Sequence, residues 1–165
     1  MELVMRFKIG DKLAYPFYGA GIVEDIVRCE VLGETKEYYV MSFSGNRLKV
    51  NIPTDKAAET GLRRLISPDR LPEVYDHFKV EVDVKGETWS KRSKVSMDKL
   101  RGGDLLEAVE VYKYLRLRER QRTLSTGENK IYRGVYWALV SELSFVEDVS
   151  VEEIDAKLDA IFEKL

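Results

Sequence analysis

A tryptophan followed closely by three basic residues is the stretch of this sequence best suited to act on a polyanion. Trp89 precedes Lys91, Arg92 and Lys94 at a predicted helix start. Proteins that bend or open DNA insert an apolar side chain between base steps while basic residues hold the backbone. An aromatic ring also stacks on an unpaired base. From the residues alone, a packing role for Trp89 with solvated basic neighbours stays a comparably weighted alternative, since most tryptophans are packing residues. Trp137, which lies within an apolar predicted helix, is expected to be such a core residue.

The charges of the chain are unevenly distributed. Residues 85–133 carry 13 basic and 7 acidic side chains, whereas residues 1–84 come to a net −2 and residues 134–165 to a net −6. A basic block between neutral and acidic ones indicates a localised contact with a polyanion. An equally weighted alternative is a solvated helical face whose charges pair along i,i+4.

Catalysis has little support in the sequence. The one histidine, His77, falls in a predicted short helix and is expected to be a surface or packing residue. The one cysteine, Cys29, excludes an internal disulfide and a cysteine-based zinc site. Carboxylates are scattered among basic residues, and the glycine pairs do not form a dinucleotide or P-loop pattern. We therefore expect a protein that is not an enzyme and has no catalytic residue, metal or cofactor.

The sequence also lacks the patterns of a membrane-spanning segment and of a signal peptide. No apolar run approaches the roughly 20 residues that a membrane-spanning helix needs. The first residues lack the apolar stretch and small-residue cleavage site of a signal peptide. The expected compartment is the cytoplasm, by default.

The first part of the chain predicts a small sheet. Short β-patterned runs cover residues 12–15, 21–27, 37–43 and 47–52, separated by turn residues and closed by Pro53. Gly19 and Gly21 indicate positive φ or a tight bend. Such short strands are typical of a barrel-like sheet of the SH3 or Tudor kind. A sheet so small leaves edge strands exposed, and these are natural sites for pairing with another protein's sheet.

The rest of the chain predicts helices. Helix starts and stops indicate a short helix over residues 68–78, a linker over 79–88 and further helices over 89–100, 105–122 and 151–165. Another helix is predicted after Ser125, with an apolar stripe of Ile131, Val135, Leu139 and Leu143 at close to helical spacing. The start signals are caps at Ser67, Thr88, Asp104, Ser125 with Glu128, and Ser150 with Glu153. The expected fold is α+β: a Tudor/SH3-like β-barrel domain (1–66), a short helix and linker (67–88) and a compact four-helix domain (89–165).

Several short motifs in this order and spacing carry a family resemblance. They are Phe7 to Pro16, Gly19 with Gly21, residues 36–39, the strand ending at Pro53, residues 61–63, Trp89 to Arg92, Lys99 with Leu100, Gly103 with Asp104, Leu124 with Ser125 and Glu128, and residues 139–143. Each motif alone is weak. Together, over nearly the full length, the chain resembles the CarD/CdnL family of bacterial RNA polymerase-binding transcription regulators.

The resemblance implies a role for particular residues. It implies a Tudor-like domain, shared with transcription-repair coupling factors, that adds its sheet edge to the β-subunit lobe of RNA polymerase. It also implies a helical domain that places a tryptophan in the minor groove at the upstream edge of the transcription bubble. The implied DNA-binding residues are Trp89, Lys91, Arg92, Lys94 and Lys130, and the implied polymerase-binding residues are Arg28, Arg47, Lys49, Val50 and Asn51.

The resulting hypothesis is a monomeric transcription regulator, associated with the nucleoid through RNA polymerase, that stabilises the promoter open complex with a tryptophan wedge. Two alternatives stay open. One is an autonomous nucleic-acid-binding protein, which would bind free DNA tightly and lose affinity steeply with salt. The other is a protein-only adaptor, in which Trp89 anchors a protein partner and DNA plays no part.

Overall fold

The computed structural model describes residues 6–43, 48–82, 94 and 97–165. Within these residues, a five-stranded antiparallel sheet is followed by helices, which confirms the predicted α+β class. The strands are β1 (Lys12–Tyr15), β2 (Gly19–Val31), β3 (Glu34–Phe43), β4 (Leu48–Pro53) and β5 (Arg63–Arg64). The helices are α1 (Leu71–His77), α2 (Leu105–Gln121), α3 (Thr126–Glu147) and α4 (Val151–Glu163), with short 3-10 helices at Thr54–Lys56 and Pro68–Arg70.

The sheet has the strand order β4-β3-β2-β1-β5, so β4 and β5 are its edges. β2 is longer than predicted and begins at Gly19. A glycine is required at position 21, since a Cβ there would lie 2.7 Å from the ring of Phe43. The turn that joins β2 to β3 lies at Leu32 and Gly33, one residue earlier than the turn that the sequence predicts at Gly33 and Glu34, because Glu34 pairs with Val31 as the first residue of β3. The turn predicted at residues 44–46 lies outside the described residues.

The sheet closes over a core of its own. Alternate residues of β3, namely Tyr39, Met41 and Phe43, are buried, as period-two alternation requires of a strand with one face covered. They pack with Leu13 of β1 and Ile52 of β4. Burying an apolar side chain of this size contributes roughly 1.5–3 kcal/mol, so these residues dominate the stability of the sheet.

Three of the predicted helix starts, at Asp104, Ser125 and Ser150, are formed as hydrogen-bonded caps. The Asp104 carboxylate accepts hydrogen bonds from the backbone N–H groups of Leu106 and Glu107 at 3.0 and 3.2 Å. Ser125 and Glu128 form a complete capping box at the start of α3. The Ser150 hydroxyl accepts from the N–H of Glu153 at 3.1 Å. Residues 97–101 are helical, and the rest of the helix predicted after Thr88 lies outside the described residues.

The long helices pack around a second core, in which Phe78 makes edge-to-face contacts with the rings of Tyr112 and Phe162. The short helix α1 belongs to this core, because its Val74 and the residue directly after its end, Phe78, are both fully buried there. Trp137 was expected in the core but is only half-buried. No described helix is long and apolar enough to cross a membrane.

Candidate functional site

The edge strand β4 carries three of the predicted polymerase-binding residues. Among the described residues, β4 pairs only with β3, so no described strand covers its other edge. Lys49 and Asn51 are exposed, while Val50 between them is half-buried and packs on the barrel core. An open edge presents backbone N–H and C=O groups with which a strand of another protein can pair. Arg47 lies outside the described residues.

Arg28 lies on another part of the sheet. It pairs in register with Glu37, whereas Lys49 pairs with Ser42, five residues further along β3. At about 3.4 Å per residue, Arg28 and Lys49 are separated by about 17 Å along the sheet. Arg28 therefore stands on the β2–β3 ribbon beyond the end of β4, and the fold does not place it beside the three residues of the edge strand.

Lys49 and Arg28, the two described basic candidates for the polymerase contact, already have acidic partners. Lys49 Nζ lies 3.1 Å from Glu24 Oε2, and hydrogen bonds from Lys49 and then Ser42 hold the pKa of Glu24 below its ordinary value. Arg28 Nε lies 4.0 Å from Glu37, which also accepts a hydrogen bond from Arg6. Exposed pairs of this kind contribute little to stability, so a partner's carboxylate could replace either glutamate without disturbing the sheet.

Two of the five predicted DNA-binding residues fall in the described part of the chain. Lys94 is in helical conformation and Lys130 is in the second turn of α3, and both are exposed. Neither forms an ion pair with another described residue. Trp89, Lys91 and Arg92 lie outside the described residues.

Several basic side chains of residues 85–133 form contacts within the protein and are not free on its surface. Arg116 donates to Asp159 at 2.8 Å and lies over the ring of Phe162 at 4.3 Å. Arg118 pairs with the buried Glu128 at 2.6 Å. Other cations of the block bind backbone carbonyls: Lys113 that of Val80, and Arg120 that of Phe162. The i,i+4 pairing considered from the sequence does not account for these contacts, because most join different helices.

A buried ion pair connects the sheet to the helices. Both oxygens of Glu142 in α3 accept hydrogen bonds from the Arg63 guanidinium of β5, each at 2.8 Å. Glu142 Oε2 also accepts from the N–H of Ile66 at 2.9 Å, and Arg63 Nε donates to the carbonyl of Gly103 at 2.7 Å. The Glu142 side chain is 2% exposed. A buried carboxylate with three donors holds both elements in one geometry, because moving either would leave its charge unpaired.

Small residues allow the backbones to meet at this junction. The Ser141 hydroxyl accepts from the N–H of Ala20 at 2.9 Å, and Trp137 packs against Gly19, which has φ 88°. A Cβ on Gly61 would lie 2.3 Å from the carbonyl oxygen of Arg101. Gly19 therefore explains why α3 approaches β2 closely and why Trp137 lies at the junction, whereas Gly61 allows the close approach of the backbone at Arg101.

Sequence reasoning missed this junction. One signal for it exists: Glu142 stands between Leu139 and Leu143, two residues of the predicted apolar stripe of α3. A carboxylate within such a stripe requires a buried partner. The sequence does not show which arginine that partner is.

Comparison with known proteins matches both parts of the chain. The CarD-like/TRCF RID domain family matches residues 7–66, and the family described as CarD, C-terminal domain, matches residues 73–159. The chain is also 31% identical over 148 residues to the Bacillus subtilis (strain 168) protein named "Putative transcription factor YdeB", covering 90% of this chain and 97% of that protein. The chain belongs to the CarD family.

The CarD family is a family of transcription regulators, and its first domain is of an RNA polymerase-interacting type. In this CarD family chain, Arg63 lies in the first matched segment and Glu142 in the second. Their ion pair, with the contacts of Ala20 and Gly61, therefore fixes the angle between the two segments. If both segments contact their partners at the same time, this angle determines where the second segment lies once the first is bound.

Proposed function

We propose that this CarD family protein docks on the β-subunit lobe of bacterial RNA polymerase and stabilises the promoter open complex. In this proposal Trp89 enters the minor groove at the upstream edge of the bubble, where it obstructs re-annealing. The protein acts as a monomer by binding, without catalysis, metal or cofactor. It reaches the nucleoid, in the cytoplasm, through the polymerase.

The open edge of β4 supports the docking half of the proposal. The first segment is of a polymerase-interacting type, and the exposed Lys49 and Asn51 flank backbone groups that have no strand partner on that side in the described part of the chain. Backbone pairing supplies affinity and alternate side chains supply specificity when a strand is added to a sheet edge. Arg28 and Arg47 are additional candidates for contacts with acidic groups of the lobe.

The junction is the observation that carries the proposal. Since Arg63 and Glu142 hold the two segments at one angle, docking of the first segment delivers the second to a fixed place. A contact made by the second segment is then effectively intramolecular and needs little affinity of its own. This agrees with the structural use of many cations of the basic block, which leaves fewer of them for DNA.

The wedge half rests on the family resemblance and on residue chemistry. Unstacking a base step costs a few kcal/mol, so an inserted ring acts best where the duplex is already distorted, as at the fork. Lys91, Arg92 and Lys94, with Lys130, would hold the phosphates on either side of the ring. Phosphate contacts position a protein without reading sequence, so we expect no base-specific readout.

The test is the lifetime of the open complex formed with full-length protein. Trp89→Ala should leave the Kd for RNA polymerase within about twofold and shorten the lifetime about tenfold, because base stacking on a ring is worth roughly 1–3 kcal/mol. Trp89→Phe is the matched control, since it keeps a ring and should retain most of the effect. An unchanged lifetime in Trp89→Ala would overturn the wedge.

The same protein preparations separate the proposal from its alternatives. Tight binding to free duplex DNA, with affinity falling steeply as salt rises, would indicate an autonomous nucleic-acid-binding protein. Charge reversal at Lys91, Arg92 and Lys94 should abolish the DNA-dependent effect in our proposal. If the charge-reversed variant instead keeps its full effect on the open complex, the protein is a protein-only adaptor.

A further inference from the structure

The tip of the β2–β3 hairpin exposes an apolar side chain completely. Leu32 is 100% exposed and its neighbour Val31 is 45% exposed. Single exposed apolar residues are common on protein surfaces. Leu32 differs from an ordinary exposed apolar residue because its backbone conformation is also unfavourable.

Leu32 occupies a turn position that suits other residues. Val31 pairs with Glu34, so the loop has two residues, and Leu32 and Gly33 have φ of 52° and 80°. Two-residue turns with positive φ at both positions favour Asn-Gly. A leucine in the left-handed region is sterically disfavoured, whereas asparagine tolerates it. Leu32 therefore strains its turn and buries nothing within the described protein, and such an outlier indicates a use outside it.

Among the described strands, only β2 and β3 form the ribbon that carries Leu32. β1 pairs with β2 only as far as Ile22, and β4 pairs with β3 only as far as Tyr38. β2 and β3 continue as a two-stranded ribbon to the pair Val31 and Glu34. The tip thus lies about 14 Å beyond the end of β4, at about 3.4 Å per residue. An apolar side chain at this distance can enter a pocket of a partner that is docked on the sheet.

The charge of the ribbon decides the class of partner. Glu24 and Glu37 of the ribbon are paired with Lys49 and with Arg6 and Arg28, whereas Glu30 and Glu34, which flank the tip, form no ion pair with another described residue. The negative charge of these two glutamates opposes contact of the tip with DNA and with a second copy of the same tip. It suits a protein surface that has an apolar pocket with basic side chains around it.

We propose that Leu32 is an anchor that enters an apolar pocket with a basic rim on RNA polymerase. This inference rests on the proposed docking and adds a contact at the hairpin tip to the pairing at the β4 edge. Apolar anchors in pockets carry a large share of the affinity of protein interfaces. The unfavourable turn conformation is then retained because the side chain is needed for binding.

The test separates stability from binding with two measurements on full-length variants. Leu32→Asn should raise the midpoint of thermal unfolding by about 2 °C, because it relieves the turn. The same substitution should weaken binding to purified RNA polymerase about tenfold, because a buried leucine is lost. Leu32→Gly should weaken binding similarly, whereas Leu32→Met should bind like the unchanged protein.

Leu165→Asn is the matched control, because Leu165 is 50% exposed and lies at the far end of the chain. It should leave the affinity unchanged. Binding of Leu32→Asn within twofold of the unchanged protein would overturn the anchor while leaving the docking intact. Failure of the unchanged protein to bind polymerase would overturn both the docking and the anchor.

Discussion

Two ion pairs of the sheet join a basic side chain to a glutamate, one at the junction and one beside the open edge. The N–O distances are similar, 2.8 Å for Arg63 with Glu142 and 3.1 Å for Lys49 with Glu24. The surroundings differ, because the Glu142 side chain is 2% exposed and the Glu24 side chain 39% exposed. Water can solvate either partner of the second pair after separation, but not the carboxylate of the first.

This difference assigns the two pairs different roles. The buried pair fixes the geometry between the two segments, because separating it leaves a charge without solvent. The exposed pair imposes little on the sheet, so its lysine remains available to another protein. Burial, and not bond length, therefore distinguishes the rigid part of the molecule from the part that is free to bind.

The largest effect is expected at the junction. Glu142→Ala should lower the free energy of unfolding by about 3 kcal/mol, since it removes three acceptor contacts and leaves Arg63 without its partner. The low end of the usual range applies because the Arg63 side chain is 26% exposed. Urea unfolding of Glu142→Ala, with Glu24→Ala as the exposed control, checks this expectation. Equal stability of the two variants would contradict the difference drawn between the pairs.

A second, smaller effect is expected where the backbones meet. Gly61→Ala should cost about 2 kcal/mol, because its Cβ would collide with the carbonyl of Arg101 in addition to straining φ. Gly10→Ala is the matched control, as Gly10 also has positive φ but nothing lies within 4 Å of its Cβ. Strain alone should cost about 1 kcal/mol there. Thermal unfolding of the two variants measures the difference, and equal losses would show that close approach at Gly61 is unimportant.

Local patterns predicted much of the fold. The strand Lys12–Tyr15 and the caps at Asp104 and Ser125 appear where the sequence placed them, because each depends on residues within a few positions of one another. The open edge could likewise be anticipated, since a sheet of few strands must have exposed edges.

Contacts between distant residues could not be predicted in the same way. Arg63 and Glu142 are 79 positions apart, and several other arginines were equally suitable partners by residue type. Trp137 was expected in a core because its helix is apolar, but Gly19 opens a place for it at the junction. The strain at Leu32 depends on the two-residue register of the hairpin, which the sequence indicated only as a turn.

The smallest effect is expected at the exposed pair. Lys49→Ala should leave the free energy of unfolding unchanged, because the side chain is 65% exposed and Glu24 is readily solvated. It should weaken polymerase binding about two- to fivefold, chiefly through the association rate, as charges at the rim of an interface do. Lys79→Ala is the matched control, since Lys79 forms an exposed pair with Asp76 away from the edge. Equal affinities of the two variants would remove Lys49 from the docking surface, whereas a loss confined to Lys49→Ala that disappears at high salt would place the β4 edge within it.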